Sequence, residues 1–430
     1  MSTRKRYAMV GLGDRARMYT GALLGEYCSA GELVALCDVN QSRMRWHNSS
    51  FQGAYGRPPV PEYGPQDFER LLDEQRVDAV IVTSVDRTHA RYIVAALEHG
   101  CDVITEKPLT VDADGCQRIV DAVRAFGGHV TVAFNYRYAP RNSAVRRVLA
   151  AGEIGSVLSV HFEWLLDTQH GADYFRRWHR DKRNSGGLMV HKASHHFDLV
   201  NWWLGARPET VFGFGKLAFY GRQNAEERGE TRFYERAHGS EVAQNDPFAL
   251  DLSSDPVRRG LYLEAEADDG YLRDRSVFSD GISIEDDMAL VVQYSTGATL
   301  TYHLTAYSPW EGYRVAFNGD RGRLELEVVE RSHVSGSGGG EGAREGGERL
   351  ILQPLWGKAR EVPIEGATGG GHGGADDRLL AALFGGDEIK DPLERSSSHV
   401  DGVLAILPGI GANLSFASGR PIDLTTLVRM

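Results

Sequence analysis

A short apolar run, Tyr7 to Val10, breaks at Gly11-Leu12-Gly13-Asp14-Arg15-Ala16 and passes straight into a helical pattern that lasts to about Tyr27. No other stretch restricts the fold as much. Strand, glycine turn and helix in immediate succession open a βαβ unit. The first glycine permits the tight turn, the second lets backbone approach a pyrophosphate, and Ala16 is small enough for the helix to pack on the strand. The next apolar run, Leu33 to Cys37, ends at Asp38, 22 residues after Ala16. A carboxylate there accepts hydrogen bonds from a ribose diol and repels a 2′-phosphate. The set predicts a dinucleotide cleft carrying Gly11, Leu12, Gly13, Asp14, Arg15, Ala16 and Asp38, with NAD favoured over NADP; Arg43 nearby moderates that preference.

The alternation continues. Ala79 to Val82 reads as a strand ending at Thr83-Ser84, followed by a helix from about Thr88 to His99 that contains His89. Asp102 to Thr105 is a further strand and delivers Glu106-Lys107-Pro108. Thr131 to Phe134 hands over to Asn135-Tyr136-Arg137-Tyr138, and Pro140 starts a basic helix that stops at Gly152. Ligands of such sheets sit at the carboxyl ends of the strands, so Thr83, Ser84, His89, Glu106, Lys107 and Asn135 are placed at the cofactor cleft. Lys107 points into the crevice; its plainer reading is a surface loop lysine. A chain of 430 residues and 47.4 kDa exceeds one ordinary core. The boundaries expected are 1–138 for the first domain and 139–430 for the second.

The second concentration of chemistry is Gly186-Gly187-Leu188-Met189-Val190-His191-Lys192-Ala193-Ser194-His195-His196-Phe197-Asp198. Met189, Ala193, Phe197, Val200 and Leu204 recur at helical spacing, so the stretch predicts one helix running on to Gly205. His191 and His195, four apart, then share a face, and Asp198 lies close to the same line. Lys192 stands where a zinc-protease pattern would need Glu, and no third ligand is evident, so no metal is expected. Imidazole serves as an acid or base near neutral pH without an ion, although His191 and His196 are as readily packing residues.

The remainder reads as the second domain. Val157 to Leu166 and Val211 to Phe214 are strands, and residues 218–280 then lose all periodicity, crowded with charge and turn formers. That segment is expected to be an insertion that covers the site, braces a neighbouring subunit, or forms a disordered flap. Met288 to Tyr294 and Ala298 to Leu304 form a hairpin whose second strand keeps Thr299, Thr301 and His303 on a polar face. Tyr307-Ser308-Pro309-Trp310 offers aromatic faces to a sugar ring or to an oligomer interface. Ser335 to Glu348 is a glycine-rich loop. Gly369 to Gly374, with His372, lacks the Lys-Ser/Thr of a phosphate loop. Asp376 to Phe384 and Val400 to Ser418 close the chain as helices that return toward the first domain.

A net charge of −11 argues against a general nucleic-acid or anionic-membrane surface. Four scattered cysteines, Cys28, Cys37, Cys101 and Cys116, make no disulfide framework and fit a reducing cytosol. The N-terminus has no secretory core, and no run long enough to span a bilayer is expected.

Four motifs together resemble the Gfo/Idh/MocA oxidoreductase family, which includes glucose-fructose oxidoreductase and inositol dehydrogenase. They are Gly11 to Ala16, Glu106-Lys107-Pro108, Gly152-Glu153-Ile154-Gly155, and Gly186-Gly187 followed by His195 and Asp198. The resemblance covers most of the chain. It implies an α/β protein with an N-terminal Rossmann domain and a C-terminal α+β domain built on an open, mainly antiparallel sheet. It also implies catalytic Lys107 and His195 and a homo-oligomer. One departure stands out. Family dehydrogenases commonly carry Asp four residues before the catalytic histidine, and this chain has His191, followed by Lys192 and Ala193. The expected activity is NAD-dependent hydride transfer at a carbinol carbon of a sugar, polyol or glycoside; in an NAD-recycling cleavage, Tyr136 or His191 would be the extra base. Arg137, His191, Lys192 and Asp198 are expected at the substrate. Two alternatives are an NAD-recycling glycosidase or lyase working through a 3-keto sugar and a non-catalytic sugar sensor.

Overall fold

The computed structural model describes residues 4–331, 346–366, 374–386 and 391–430. Six strands make the first sheet: β1 (Lys5–Val10), β2 (Gly31–Cys37), β3 (Glu62–Tyr63), β4 (Ala79–Val82), β5 (Asp102–Thr105) and β6 (Val130–Val132). They pair in the order β3-β2-β1-β4-β5-β6, every pair parallel. Helices cover both faces, which is why β4 can be Ala-Val-Ile-Val with every side chain buried. The strand order reverses between β1 and β4. That reversal opens the crevice, so the loops after β1, β4 and β5 frame whatever binds.

Nine strands make the second sheet: β7 (Val157–Asp167), β8 (Pro208–Lys216), β9 (Asp287–Tyr294), β10 (Thr299–Ser308), β11 (Glu311–Gly319), β12 (Gly322–Arg331), β13 (Gly347–Pro354), β14 (Arg360–Glu361) and β15 (Ile422–Asp423). Their order is β14-β13-β12-β11-β7-β10-β9-β8-β15, antiparallel throughout except where β10 runs parallel to β7. In β10 the side chains alternate, with Thr299, Thr301 and His303 exposed and Leu300, Tyr302 and Leu304 buried. The inner face carries Phe162, Trp164, Tyr302, Tyr313 and Phe317, all buried, and the helix Ser194–Leu204 lies against it. Trp164 stacks on Tyr313 at 4.5 Å and on His196 at 3.9 Å.

The stretch expected as one helix is two. Leu188–His191 is a single turn and Ser194–Leu204 a separate helix, with Lys192 and Ala193 between them. The cause is a carbonyl diverted from the ladder. His191 O accepts from the Lys107 ammonium at 3.3 Å and from the Ser194 hydroxyl at 3.1 Å, while the His195 amide turns to Lys192 O at 3.3 Å. Apolar spacing cannot register such a break.

Residues 218–280 are not a disordered flap. Asp286 accepts from the amides of Ala218, Phe219 and Tyr220 at 2.7, 2.8 and 2.8 Å. Phe219, Tyr220, Phe248, Phe278 and Tyr307 pack together above that anchor, so Tyr307 stacks on Phe219 at 5.1 Å rather than facing a cleft. Farther along, residues 256–271 cross to the first domain and pack on the helix Gln41–Tyr55. The glycine-rich loop is outside the described residues over 332–345, as is 369–373 with His372. The helix His399–Ser418 is long and apolar enough to cross a membrane, yet most of that run is buried in this fold, against β8 and the helix Ser194–Leu204.

Candidate active site

The crevice between β1 and β4 fits a dinucleotide. Gly11 has φ +83°, and a Cβ there would stand 2.4 Å from Ser84 Cα, so the turn after β1 tolerates no side chain. Thr83 Oγ1 donates to Gly11 O at 2.5 Å and holds the two loops together. Asp38, at the end of β2, accepts from the amides of Leu12 at 2.5 Å and Asn40 at 2.8 Å. A carboxylate has about four lone-pair sites, so acceptor capacity is left for a ribose diol. The helix Ala16–Leu24 starts two residues after Asp14, whose amide donates to Tyr262 Oη at 3.0 Å.

Some residues expected at the cofactor have other work. Arg15 donates to Glu106 at 2.5 Å and pairs with Asp376 at 3.1 Å, and Tyr19 Oη donates to Glu106 at 2.9 Å. These bonds tie the β5 loop to the first turn of the Ala16–Leu24 helix. Asn135 Nδ2 also donates to Asp376, at 2.8 Å. His89 is buried between the carbonyls of Pro108 at 2.8 Å and Ser84 at 3.0 Å. It braces the two loops against each other rather than facing the crevice. Ser84 Oγ lies 2.7 Å from Thr88 Oγ1.

At the inner end of the crevice, Lys107 meets the second domain. Its ammonium lies 3.3 Å from His191 Nε2, and His191 Nδ1 lies 2.5 Å from Asp86 Oδ2. Burial pushes the His191 imidazole well below its usual range, so it is neutral. With one proton to place, Nδ1 donates to the Asp86 carboxylate and Nε2 offers its lone pair to Lys107. Burial lifts the Asp86 carboxyl and lowers Lys107 to about 8, with the Asp86 charge holding Lys107 up. A buried ammonium and carboxylate bridged by a neutral ring carry no net charge, which lowers the cost of placing them there. No motif or period in the sequence points to Asp86. Its signal was its place, four residues past the end of β4, where loops of such sheets face ligands.

His195 lies flat on the Tyr136 ring at 4.2 Å, with Phe134 edge-on at 5.8 Å. Lys192 is buried as well, donating to Tyr136 Oη at 3.2 Å and lying 4.9 Å over the Trp164 ring. Thus Lys107 and His191 form one contact set, and His195, Tyr136 and Lys192 a second that follows it along the chain. Arg137 and Asp198 do not join them. Arg137 binds Asp198 through two bonds, at 2.5 and 2.8 Å, with both side chains almost wholly buried, and reaches Asp401 at 3.0 Å. Their charges are spent on each other, so this pair holds structure rather than substrate. His196 likewise packs, its Nδ1 2.6 Å from Tyr302 Oη.

Sheet order, glycine turn and the lysine at the crevice define a two-domain dinucleotide-binding oxidoreductase fold. The chain belongs to the Gfo/Idh/MocA oxidoreductase family. The family's NAD-binding Rossmann model matches residues 5–134, and its C-terminal alpha/beta domain matches residues 146–424. YteT of Bacillus subtilis, which carries an oxidoreductase name, is 34% identical over 444 residues, spanning 99% of this chain and 99% of its own. The scyllo-inositol 2-dehydrogenase (NAD(+)) of the same organism is 27% identical over 225 residues, covering 50% of this chain and 59% of its own. The WlbA dehydrogenase of Chromobacterium violaceum, solved with NADH and UDP-GlcNAcA, superposes with a TM-score of 0.66 at 18% identity, covering 99% of this chain and 98% of that one. At that identity the likeness is one of fold.

Proposed function

We propose that the chain is an NAD-dependent oxidoreductase acting at a carbinol carbon of a sugar, polyol or glycoside. The observation that carries this reading is the chain of contacts from Asp86 through His191 to Lys107, set at the inner end of a glycine-turn crevice. Gly11, Gly13, Asp14 and Asp38 would hold the dinucleotide, which when bound supplies the hydride acceptor. The residues of this chain then handle a proton and a charge. His191 Nε2 and His191 O take up two of the three Lys107 N–H directions and aim the third at the substrate hydroxyl, where negative charge develops. His195, held flat by Tyr136, takes the hydroxyl proton. Where family dehydrogenases commonly carry Asp, this chain has His191, which stands between the Asp86 carboxylate and Lys107. The resemblance in activity rests on the inositol dehydrogenase relative that covers half of the chain.

The test is a panel of polyols, sugars and aryl glycosides with NAD, following NADH and any released phenol together. NADH accumulating with substrate consumption is the expected result. Phenol released without net NADH, and only when NAD is present, replaces this reading with the NAD-recycling glycosidase. No reaction with any member and no NAD binding overturns both. With a reacting substrate, His195→Ala is expected to lower kcat by roughly a hundredfold. Its NAD affinity, measured by calorimetry, should stay within a few-fold of wild type.

A further inference from the structure

Arg43 is the cation best placed to receive a 2′-phosphate, since its Nη1 lies 3.9 Å from the Asp38 carboxylate that faces the ribose. It is not free to do so. Nη1 pairs with Asp269 at 2.8 Å, Nε donates to Leu261 O at 3.0 Å, and the guanidinium sits 5.7 Å from each of the Tyr262 and Tyr271 rings. All of these partners except Asp38 come from the inserted segment. That segment is fastened independently of Arg43. Asn40 Nδ2 donates to Ala265 O at 2.7 Å, the Ser42 amide to Asp268 at 2.7 Å, and the Asp14 amide to Tyr262 Oη at 3.0 Å. Trp46 packs so tightly on Gly260 that a Cβ there would lie 2.3 Å from its Nε1. The insertion therefore walls the cleft from the glycine turn to the helix after β2.

We propose that Asp269 of this insertion is a specificity-determining residue, neutralising Arg43 so that the cleft takes NAD and rejects NADP; the inference rests on the dinucleotide reading above. Asp38 and Asp269 outnumber the one guanidinium, leaving a net negative charge where a 2′-phosphate would have to sit. Asp268, one residue away, adds to it. Among the described residues Arg43 Nη2 has no hydrogen-bond partner and is buried, which leaves its N–H donors for a neutral acceptor such as a ribose hydroxyl. A ribose diol meets two acceptors and a donor there; a phosphate dianion meets repulsion.

The experiment is fluorescence or calorimetric titration of wild type, Asp269→Asn and Asp269→Asn/Arg43→Ala with NADH and NADPH. Wild type should prefer NADH. Asp269→Asn should narrow the preference at least about tenfold by gaining NADPH affinity, since it removes one charge of the pair that offsets Arg43. The double variant should lose that gain. Asp269→Ser, which removes the same charge, stands in if the asparagine variant does not fold by circular dichroism. Unchanged selectivity in a folded variant that still binds NADH, or a wild type that prefers NADPH, overturns this inference alone. A wild type that binds neither nucleotide overturns the functional reading on which it stands.

Discussion

Lys107→Ala is expected to lower kcat by roughly a thousandfold, the loss that follows removal of a positioned charge at a developing alkoxide. NAD affinity should hold within a few-fold, because the side chain faces His191 rather than the glycine turn. Retained turnover within a few-fold of wild type removes Lys107 from the mechanism. The pH profile adds a second readout. Burial lowers the Lys107 ammonium to about 8, and Asp86 opposes that fall. If the ammonium is the working form, the wild-type rate falls as pH rises through about 8, where the proton is lost. Asp86→Asn takes away the charge that holds Lys107 up, so its alkaline limb should move to lower pH. A limb that stays in place makes the Asp86–His191 contact purely structural. A rate that instead rises through that pH makes the Lys107 amine the base and reverses the roles of Lys107 and His195.

Local chemistry was legible in the sequence, and tertiary chemistry was not. Gly11 to Ala16 and Asp38 could be read because strand, turn, helix and acid follow one another along the chain, and each step has a local physical cause. Lys107, His191 and His195 were found because each ends an element or repeats at helical spacing. Asp86 was missed because its partner lies 105 residues away, and no period connects a loop carboxylate to a distant imidazole. The helix break at Lys192 was missed for a related reason: the group that draws His191 O out of the ladder comes from the other domain. Which of its expected roles the inserted segment takes was not legible, because its short turns take their conformation from contacts with Asn40, Ser42 and Arg43. Arg137 and Asp198 were misplaced because charge in a sequence reads as reach toward a ligand. Only the fold shows the two sealed against each other.

Breaking that pair should be the costliest change to stability. Arg137→Ala leaves Asp198 buried opposite nothing, and removal of one partner of a buried pair costs about 3–5 kcal/mol. The damage extends further, because Arg137 also reaches Asp401, which completes the capping box with Ser398 at the start of the helix His399–Ser418. The pH dependence has a definite sign. Burial already holds the Asp198 carboxyl up at about 6 against the pull of Arg137, and loss of the guanidinium raises it further. In the variant the folded state therefore binds a proton that the unfolded state releases near its ordinary value of about 4. Stability of Arg137→Ala should accordingly rise as pH falls from 8 toward 5, while Arg137→Met/Asp198→Leu, which removes both charges, should recover much of the loss and show little of that slope. Urea unfolding at the two pH values, read by tryptophan fluorescence, checks this. A single variant within about 1 kcal/mol of wild type at pH 8, well under the loss expected for a broken buried pair, would mean that water reaches Asp198 and that the pair is not the sealed structural contact assigned to it.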